Sequence, residues 1–350
     1  PIVGITGSNG KTMVKEWLHQ LLSPSMFVTR SPRSYNSQIG VPLSVWLLNE
    51  QTQVGVFEAG ISQPGEMLAL RDIIQPTIAV LTYLGAAHQE NFESLEAKCR
   101  EKIILFHDAD TIVYNGDDKT VSGVVNEYKD YKGEKLFWSF RDTKAPFFVK
   151  NVEKKGNLSI ITYIYKGEED SYSLPFIDEA SVTNSIIAAV VSRRLGLSAE
   201  ELDKRMALLE PVAMRLEVKE GQHGCTLIND SYNSDINSLD IALDFMSRRP
   251  DHKGRRHTLI LSDIFQSGES AKDLYHEVSD LCRKRGVVKF IGIGPQLCSQ
   301  SDEIQISEKF FFSNVEEFID SEVFKSLRDE VILLKGARQF GFDQLTELLV

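Results

Sequence analysis

Near its start the chain reads Thr6-Gly7-Ser8-Asn9-Gly10-Lys11-Thr12, a loop bracketed by glycines and closed by a lysine and a hydroxyl. The backbone N–H groups of such a loop can surround an anion, the lysine can neutralise it, and the threonine hydroxyl can reach a metal ion. The anion that suits this chemistry is the phosphate chain of a nucleoside triphosphate, ATP or GTP. The strict motif would place a glycine where Ile5 stands, so this is a shortened variant with Gly7 and Gly10. An apolar run, Ile2 to Ile5, precedes the loop, and Met13, Val14, Trp17, Leu18, Leu21 and Leu22 follow at helical spacing. A strand, a glycine turn and an amphipathic helix in that order set this stretch apart from a chance Gly-Lys-Thr.

A triphosphate calls for Mg2+, and Mg2+ calls for oxygen ligands. Glu58 ends the run in "VGVFEAG", and His88 lies in "LTYLGAAHQENF", again after an apolar run. Open α/β sheets bind ligands at the C-terminal ends of their strands, which makes both residues metal candidates. Each has an ordinary reading too, a solvated strand-capping acid and a surface-loop histidine. Lys102 is placed differently. Leu95, Cys99, Lys102 and Phe106 recur at i, i+4, i+7 and i+11, so Lys102 is expected on the apolar stripe, with Lys98 and Arg100 leaning outward. An inward lysine is a snorkelling stem or half of a buried ion pair. Alternatively it is an amine of lowered pKa that combines with CO2, giving a carbamate that bridges metal ions.

The elements that must position these groups follow from the hydrophobic pattern. Runs at Val54 to Phe57, Ile78 to Thr82 and Thr111 to Tyr114 alternate with helix-period segments such as Glu66 to Ile74, which predicts a parallel sheet covered on both faces. Between Lys135 and Leu174 the pattern becomes "KLFWSF", "FFVKNV" and "LSIITYIY", read as an antiparallel addition, and a long helix from Asp178 to Leu195 follows. At "LLEPVAMRLEV" Pro211 closes a helical segment and a second α/β series opens. The expected organisation is α/β throughout: a central P-loop-type ATPase domain over 1–210 and a Rossmann-like α/β domain over 211–350.

The chain has 350 residues and a formal net charge of -11, which argues against nucleic acid as a partner. No apolar run reaches the roughly 18 residues of a membrane span. Cys99, Cys225, Cys282 and Cys298 show no CxxC spacing and read as the reduced thiols of a cytoplasmic protein.

"GITGSNGKT", "EAGISQPGE", "GAAHQENFESLEAKCREK", "MRLE", "INDSYNSDINS", "SDIFQSG" and "LLKGAR" run from residue 4 to residue 338, and together they resemble the Mur ligases. "NSQIGVPLS" and "NDSYN" are similar to the members that add D-alanyl-D-alanine to UDP-N-acetylmuramoyl-tripeptide in peptidoglycan synthesis. The resemblance implies ATP held by Gly7, Ser8, Asn9 and Gly10, with Lys11 on the β and γ phosphates. It implies two Mg2+ ions held by Thr12, Glu58 and His88, joined by Lys102 as a carbamylated lysine. Asn184 would contact adenine, and Arg215 would reach the phosphates from the second domain. Asp230 and Tyr232 would lie near the nucleotide, with Asn233 close by. Asn36 and Ser37 would border the muramoyl-peptide site, and Lys335 and Arg338 would lie on a loop facing the cleft.

There are departures from the family pattern. Members usually read Asp-Asp-Ser-Tyr-Asn-Ala-Asn-Pro where this chain has Asn229 to Ile236, and an acid commonly stands at Gln38. These variants resemble a form fused to an alanine racemase, which would follow residue 350. A chain opening on Pro1 and a strand is expected to be a fragment whose uridine-nucleotide-binding domain precedes it. The implied reaction passes through an acyl phosphate. Rival readings are another amino-acid ligase of the same frame, and an ATP-binding module without turnover.

Overall fold

The computed structural model describes residues 1–85, 89–129, 131–212, 216–231, 234–248, 254–265, 270–337 and 340–350. The chain divides into two compact units, Pro1–Glu210 and Pro211–Val350. Among the described residues no helix is long and apolar enough to cross a membrane.

The first unit is built on one sheet of nine described strands: β1 (Ile2–Thr6), β2 (Val28–Arg30), β3 (Val54–Glu58), β4 (Ile78–Leu81), β5 (Thr111–Asn115), β6 (Glu134–Ser139), β7 (Phe147–Lys155), β8 (Leu158–Tyr165) and β9 (Glu168–Leu174). Their order is β2-β3-β1-β4-β5-β6-β7-β8-β9. The helices are α1 (Lys11–Leu22), α2 (Gly40–Val45), α3 (Glu66–Ile74), α4 (Leu95–Lys102), α5 (Lys119–Glu127), α6 (Glu179–Arg194) and α7 (Ala199–Met206).

Strands β1 to β5 are short and parallel, all but the edge strand β2 mainly apolar, and β1 is flanked by β3 and β4 with residue pairs Ile5↔Glu58 and Ile5↔Val80. Interior parallel strands bury both faces, which is why they read as continuous Val, Ile and Leu runs. The segment expected as an antiparallel addition is corrected in part. β6 pairs parallel with β5 and with β7, and only β7-β8 and β8-β9 are antiparallel. The turn residues Gly156 and Gly167, both at positive φ, close the two hairpins.

Helix α6 is buried along nearly all its length, from Ser181 through Ser192 with few breaks, because it packs on β5 and β6 and against the neighbouring helices α1 and α7. A helix apolar all round must lie inside the layers. On the other side Phe57, Met67, Leu70, Leu81, Cys99, Ile103 and Leu105 pack α3, α4 and the sheet into one core.

The second unit carries β10 (Glu217–Glu220), β11 (Thr226–Asp230), β12 (Arg256–Ser262), β13 (Lys289–Ile293), β14 (Glu308–Phe312) and β15 (Glu330–Lys335), in the order β10-β11-β15-β12-β13-β14. All neighbours are parallel except β10-β11. The helices α8 (Ile236–Arg248), α9 (Ala271–Lys284), α10 (Pro295–Ser299), α11 (Val315–Asp320), α12 (Glu322–Lys325) and α13 (Phe342–Leu349) are packed on two separate cores, one on each face.

Candidate nucleotide and metal site

The chain leaves β1, crosses through α1 to the edge strand β2, returns to β3, and then adds β4 on the opposite side of β1. The C-terminal end of β1 is therefore the switch point of the sheet, where a crevice opens between the loops running in opposite directions. The loop of Gly7 to Gly10 lies there.

Sterics explain both glycines. Gly7 has φ 144°, and a Cβ on it would stand 2.0 Å from Thr82 Oγ1. Gly10 has φ 88°, and a Cβ on it would stand 2.5 Å from Asn184 Oδ1. Any other residue would force the loop off Thr82 and off α6. The segment after β4 holds it: Thr82 Oγ1 lies 2.5 Å from Asn9 O and 3.2 Å from Thr6 O, and Ser8 Oγ donates to Gly85 O and accepts from Gly85 N.

Helix α1 begins at Gly10 with no side-chain cap. Ser94, Asp118, Asp178 and Ser198 cap α4 to α7, and Glu101 Oε1 accepts from the amides of Gly65 and Met67 at the start of α3. No side chain caps the first turn of α1, and its dipole favours an anion. Lys11 arches back over the loop, donating to Gly7 O at 2.7 Å and Ser8 O at 3.3 Å.

Lys102, the last residue of α4, is buried and points to the same carbonyl, with Nζ 3.3 Å from Gly7 O. Burial, then the charges of Lys11 and Lys98, hold its pKa well below the ordinary lysine value. Its inward placement matches the stripe, but the outward placement of Lys98 is corrected. Lys98 is buried, donating to Gly85 O and to Gln89 Oε1 at 3.3 Å. Only Arg100 faces out, paired with Glu127. The spacing from Lys98 to Lys102 is i, i+4, so the two share a helix face.

Glu58 ends β3 with no exposed surface. Its Oε2 accepts from Thr12 Oγ1 at 3.1 Å and Asn36 Nδ2 at 3.4 Å, and Thr12 Oγ1 also meets Ser34 Oγ at 3.1 Å. Its Oε1 faces the ammonium of Lys15 at 3.1 Å. The sequence reading passed over Lys15. It sits on the inner stripe of α1 with Leu18 and Leu22 and is wholly buried, whereas Met13 is only half-buried. The signal was the one that marked Lys102, a lysine at a core position of a helix.

The donor set fits the groups that the motif implies. A donor-lined loop with two glycines and an uncapped helix start suits phosphate, and the hydroxyl and carboxylate oxygens that meet at Thr12 and Glu58 suit Mg2+. Among the described residues no three His, Cys, Asp or Glu side chains gather around a metal-sized space. Asn184 lies on α6 against Gly10, its Nδ2 3.7 Å from Met13 Sδ. Ser37 is exposed and accepts from Gly40 N at 3.2 Å, starting α2, and Gln38 donates to Glu66 O. His88, Arg215, Tyr232, Asn233 and Arg338 lie outside the described residues.

In the second unit Asp230 and Lys335 end the paired strands β11 and β15 and form a buried ion pair, with Nζ 2.7 Å from Oδ2. Lys335 therefore belongs to a strand and to an acid partner, which corrects its expected place on an open loop. Asp263, at the end of β12, accepts from Gln296 N and Leu297 N at the start of α10, and burial raises its pKa.

Comparison with known proteins agrees with this geometry. UDP-N-acetylmuramoyl-tripeptide--D-alanyl-D-alanine ligases of Bacillus subtilis and Buchnera aphidicola are each 27% identical to the chain, over 79% and 100% of it. The chain spans 59% of the first protein's length and 76% of the second's. In fold it resembles MurF from Acinetobacter baumannii, with a TM-score of 0.84 at 20% identity over 99% of this chain and 76% of that one. MurF from Thermotoga maritima, solved in complex with ADP, gives 0.82 at 22% identity over 99% and 78%. The profile of the Mur ligase middle domain matches residues 5–192, more than half of the chain, and the chain belongs to the Mur ligase family.

Proposed function

We propose that the chain is an ATP-dependent, ADP-forming ligase that joins D-alanyl-D-alanine to UDP-N-acetylmuramoyl-tripeptide, a step of peptidoglycan precursor synthesis in the cytoplasm. The observation that carries the reading is the convergence of Lys11 and Lys102 on Gly7 O beside an uncapped helix start, in a member of this family. The names of its relatives support the substrates.

The chemical difficulty is that the tripeptide carboxylate must attack a γ-phosphate, and the two anions repel. Lys11 releases the loop carbonyls for phosphate oxygens, and the first amides of α1 receive the same group. Arg215 is the proposed cation from the second unit. Thr12, Glu58 and His88 would hold Mg2+, which offsets the charge on the phosphate oxygens when bound. The lowered pKa of Lys102 favours the neutral amine, the form that adds CO2 at Nζ with loss of a proton to give a carbamate. Carboxylate attack forms an O–P bond, breaks the bond to the departing ADP, and leaves an acyl phosphate. The D-alanyl-D-alanine amine then attacks the acyl carbon, phosphate leaves, and one proton passes to solvent. Asn184, Asp230 and Tyr232 are proposed on the nucleotide side, and Asn36, Ser37, Asn233 and Arg338 on the acceptor side.

Phosphate release by the full chain with ATP, Mg2+ and bicarbonate tests this. Release that needs both UDP-N-acetylmuramoyl-tripeptide and D-alanyl-D-alanine is expected. Release indifferent to the dipeptide, or supported equally by single amino acids, would sink the substrate assignment.

A further inference from the structure

Lys15 lies one turn along α1 from Thr12, on the same face at i, i+3; Thr12 donates to Glu58 Oε2, and the Lys15 ammonium stands 3.1 Å from the buried Oε1 as an ion pair without a hydrogen bond. The ammonium is also held by Ser31 O at 2.9 Å, by Arg33 O, and by Glu16 Oε1 at 3.0 Å. Glu16 is in turn bonded to Arg30 Nε at 2.9 Å. An ammonium has three protons, and here four acceptors surround them, so it is fixed from every side. Turning Oε1 away would take one buried carboxylate oxygen from its ammonium, which the interior disfavours, although Lys15 would keep Glu16.

We infer that Lys15 is a positioning residue that sets the cation preference of the nucleotide site: by occupying Oε1 it restricts Glu58 to a single oxygen, Oε2, which favours Mg2+ over Ca2+. The inference rests on the proposed role of Glu58 as a metal ligand. Mg2+ is small, keeps six ligands and takes a carboxylate through one oxygen, whereas Ca2+ accepts up to eight and draws on both oxygens of a carboxylate. A carboxylate with one oxygen committed to an ammonium offers Ca2+ less and costs Mg2+ nothing. Removing the ammonium changes the charge beside both ions equally, so that effect cancels in the ratio of their affinities. What remains in the ratio is the number of oxygens on offer.

The test is calorimetric binding of ADP to the full chain in Mg2+, in Ca2+ and without either. It uses the wild type, Lys15→Met, Glu58→Gln and the double variant. The Mg2+-to-Ca2+ ratio of supported ADP affinity is expected to fall about tenfold in Lys15→Met, and Lys15→Met is expected to change nothing further in a Glu58→Gln background. If Lys15→Met does not fold, Lys15→Gln keeps a neutral donor in place, and a fall in the same direction is expected. A ratio equal to that of the wild type in the folded variant overturns the inference, even if thermal stability drops. If Mg2+ does not tighten ADP binding in the wild type, or Glu58→Gln leaves the increment intact, the metal role of Glu58 fails and takes this inference with it.

Discussion

The two units treat buried ammonium groups differently. In Pro1–Glu210 the buried Lys98 and Lys102 and the half-buried Lys11 donate to the carbonyls of Gly7, Ser8 and Gly85, while the buried Lys15 meets the carboxylates of Glu16 and Glu58. In Pro211–Val350, Lys335 lies against Asp230, and Lys289 against Glu330 at 2.6 Å. A neutral carbonyl holds an ammonium less firmly than a carboxylate does, so the first arrangement can be redirected to an incoming anion and the second cannot. Around the loop of Gly7 to Gly10 the first unit meets its ammonium groups with carbonyls, and at Asp230 the second uses one to lock strand ends in register.

The largest expected effect tests the first half of that contrast. Lys11→Ala should lower kcat/KM for ATP by about 10³-fold, or about 4 kcal/mol, with little change in melting temperature. A large loss of stability with normal turnover would mean that Lys11 is structural, like Lys335. Next comes the second half. Asp230→Asn leaves Lys335 buried without a counter-charge and should cost about 3 kcal/mol in denaturant unfolding, most of it recovered in Asp230→Asn/Lys335→Met. Full stability in the single variant would show that the pair is as redirectable as Lys11.

Gly10→Ala asks an alanine to adopt φ 88° beside Asn184 Oδ1 and should cost about 2 kcal/mol, together with weaker ADP binding. Unchanged ADP binding would remove the loop from the site. The smallest effect concerns Lys102. Its depressed pKa means the unfolded chain binds a proton that the folded chain does not, which penalises folding below the ordinary lysine value and fades above it. In CO2-free buffer Lys102→Met should therefore stabilise the protein by about 1 kcal/mol at neutral pH. The gain should shrink towards pH 10. A gain that does not vary with pH would contradict the depressed pKa.

How far the sequence reached can be followed through these lysines. The order of β1, loop and α1 was plain from periodicity and glycines, and the inward direction of Lys102 from its apolar neighbours. Lys98 was placed outside because a charged residue was assumed to seek water, although Leu95, Lys98, Cys99 and Lys102 share one face of α4. What brings Lys98 in is the carbonyl of Gly85, a tertiary partner that no local pattern encodes. Lys15 carried the same helical signal as Lys102 and was passed over, but its acceptors at Ser31, Arg33 and Glu58 come from two other strand ends and were not legible. The parallel pairing of β6 was equally hidden. Alternation in "KLFWSF" fits either direction, and direction is decided by α5, which carries the chain back across the sheet before β6.

The three tryptophans all fall in the first unit: Trp17 and Trp138 are buried, and Trp46 is 84% exposed. Trp17 stands on α1, stacks on Phe176 at 5.4 Å and donates Nε1–H to Glu210 O at 3.1 Å. Indole emission is consequently a private signal of the nucleotide-binding half. An aqueous quencher such as iodide dims Trp46 alone. The remaining emission then comes from the buried Trp17 and Trp138 of that half, while Pro211–Val350 has no tryptophan of its own and is followed through its tyrosines.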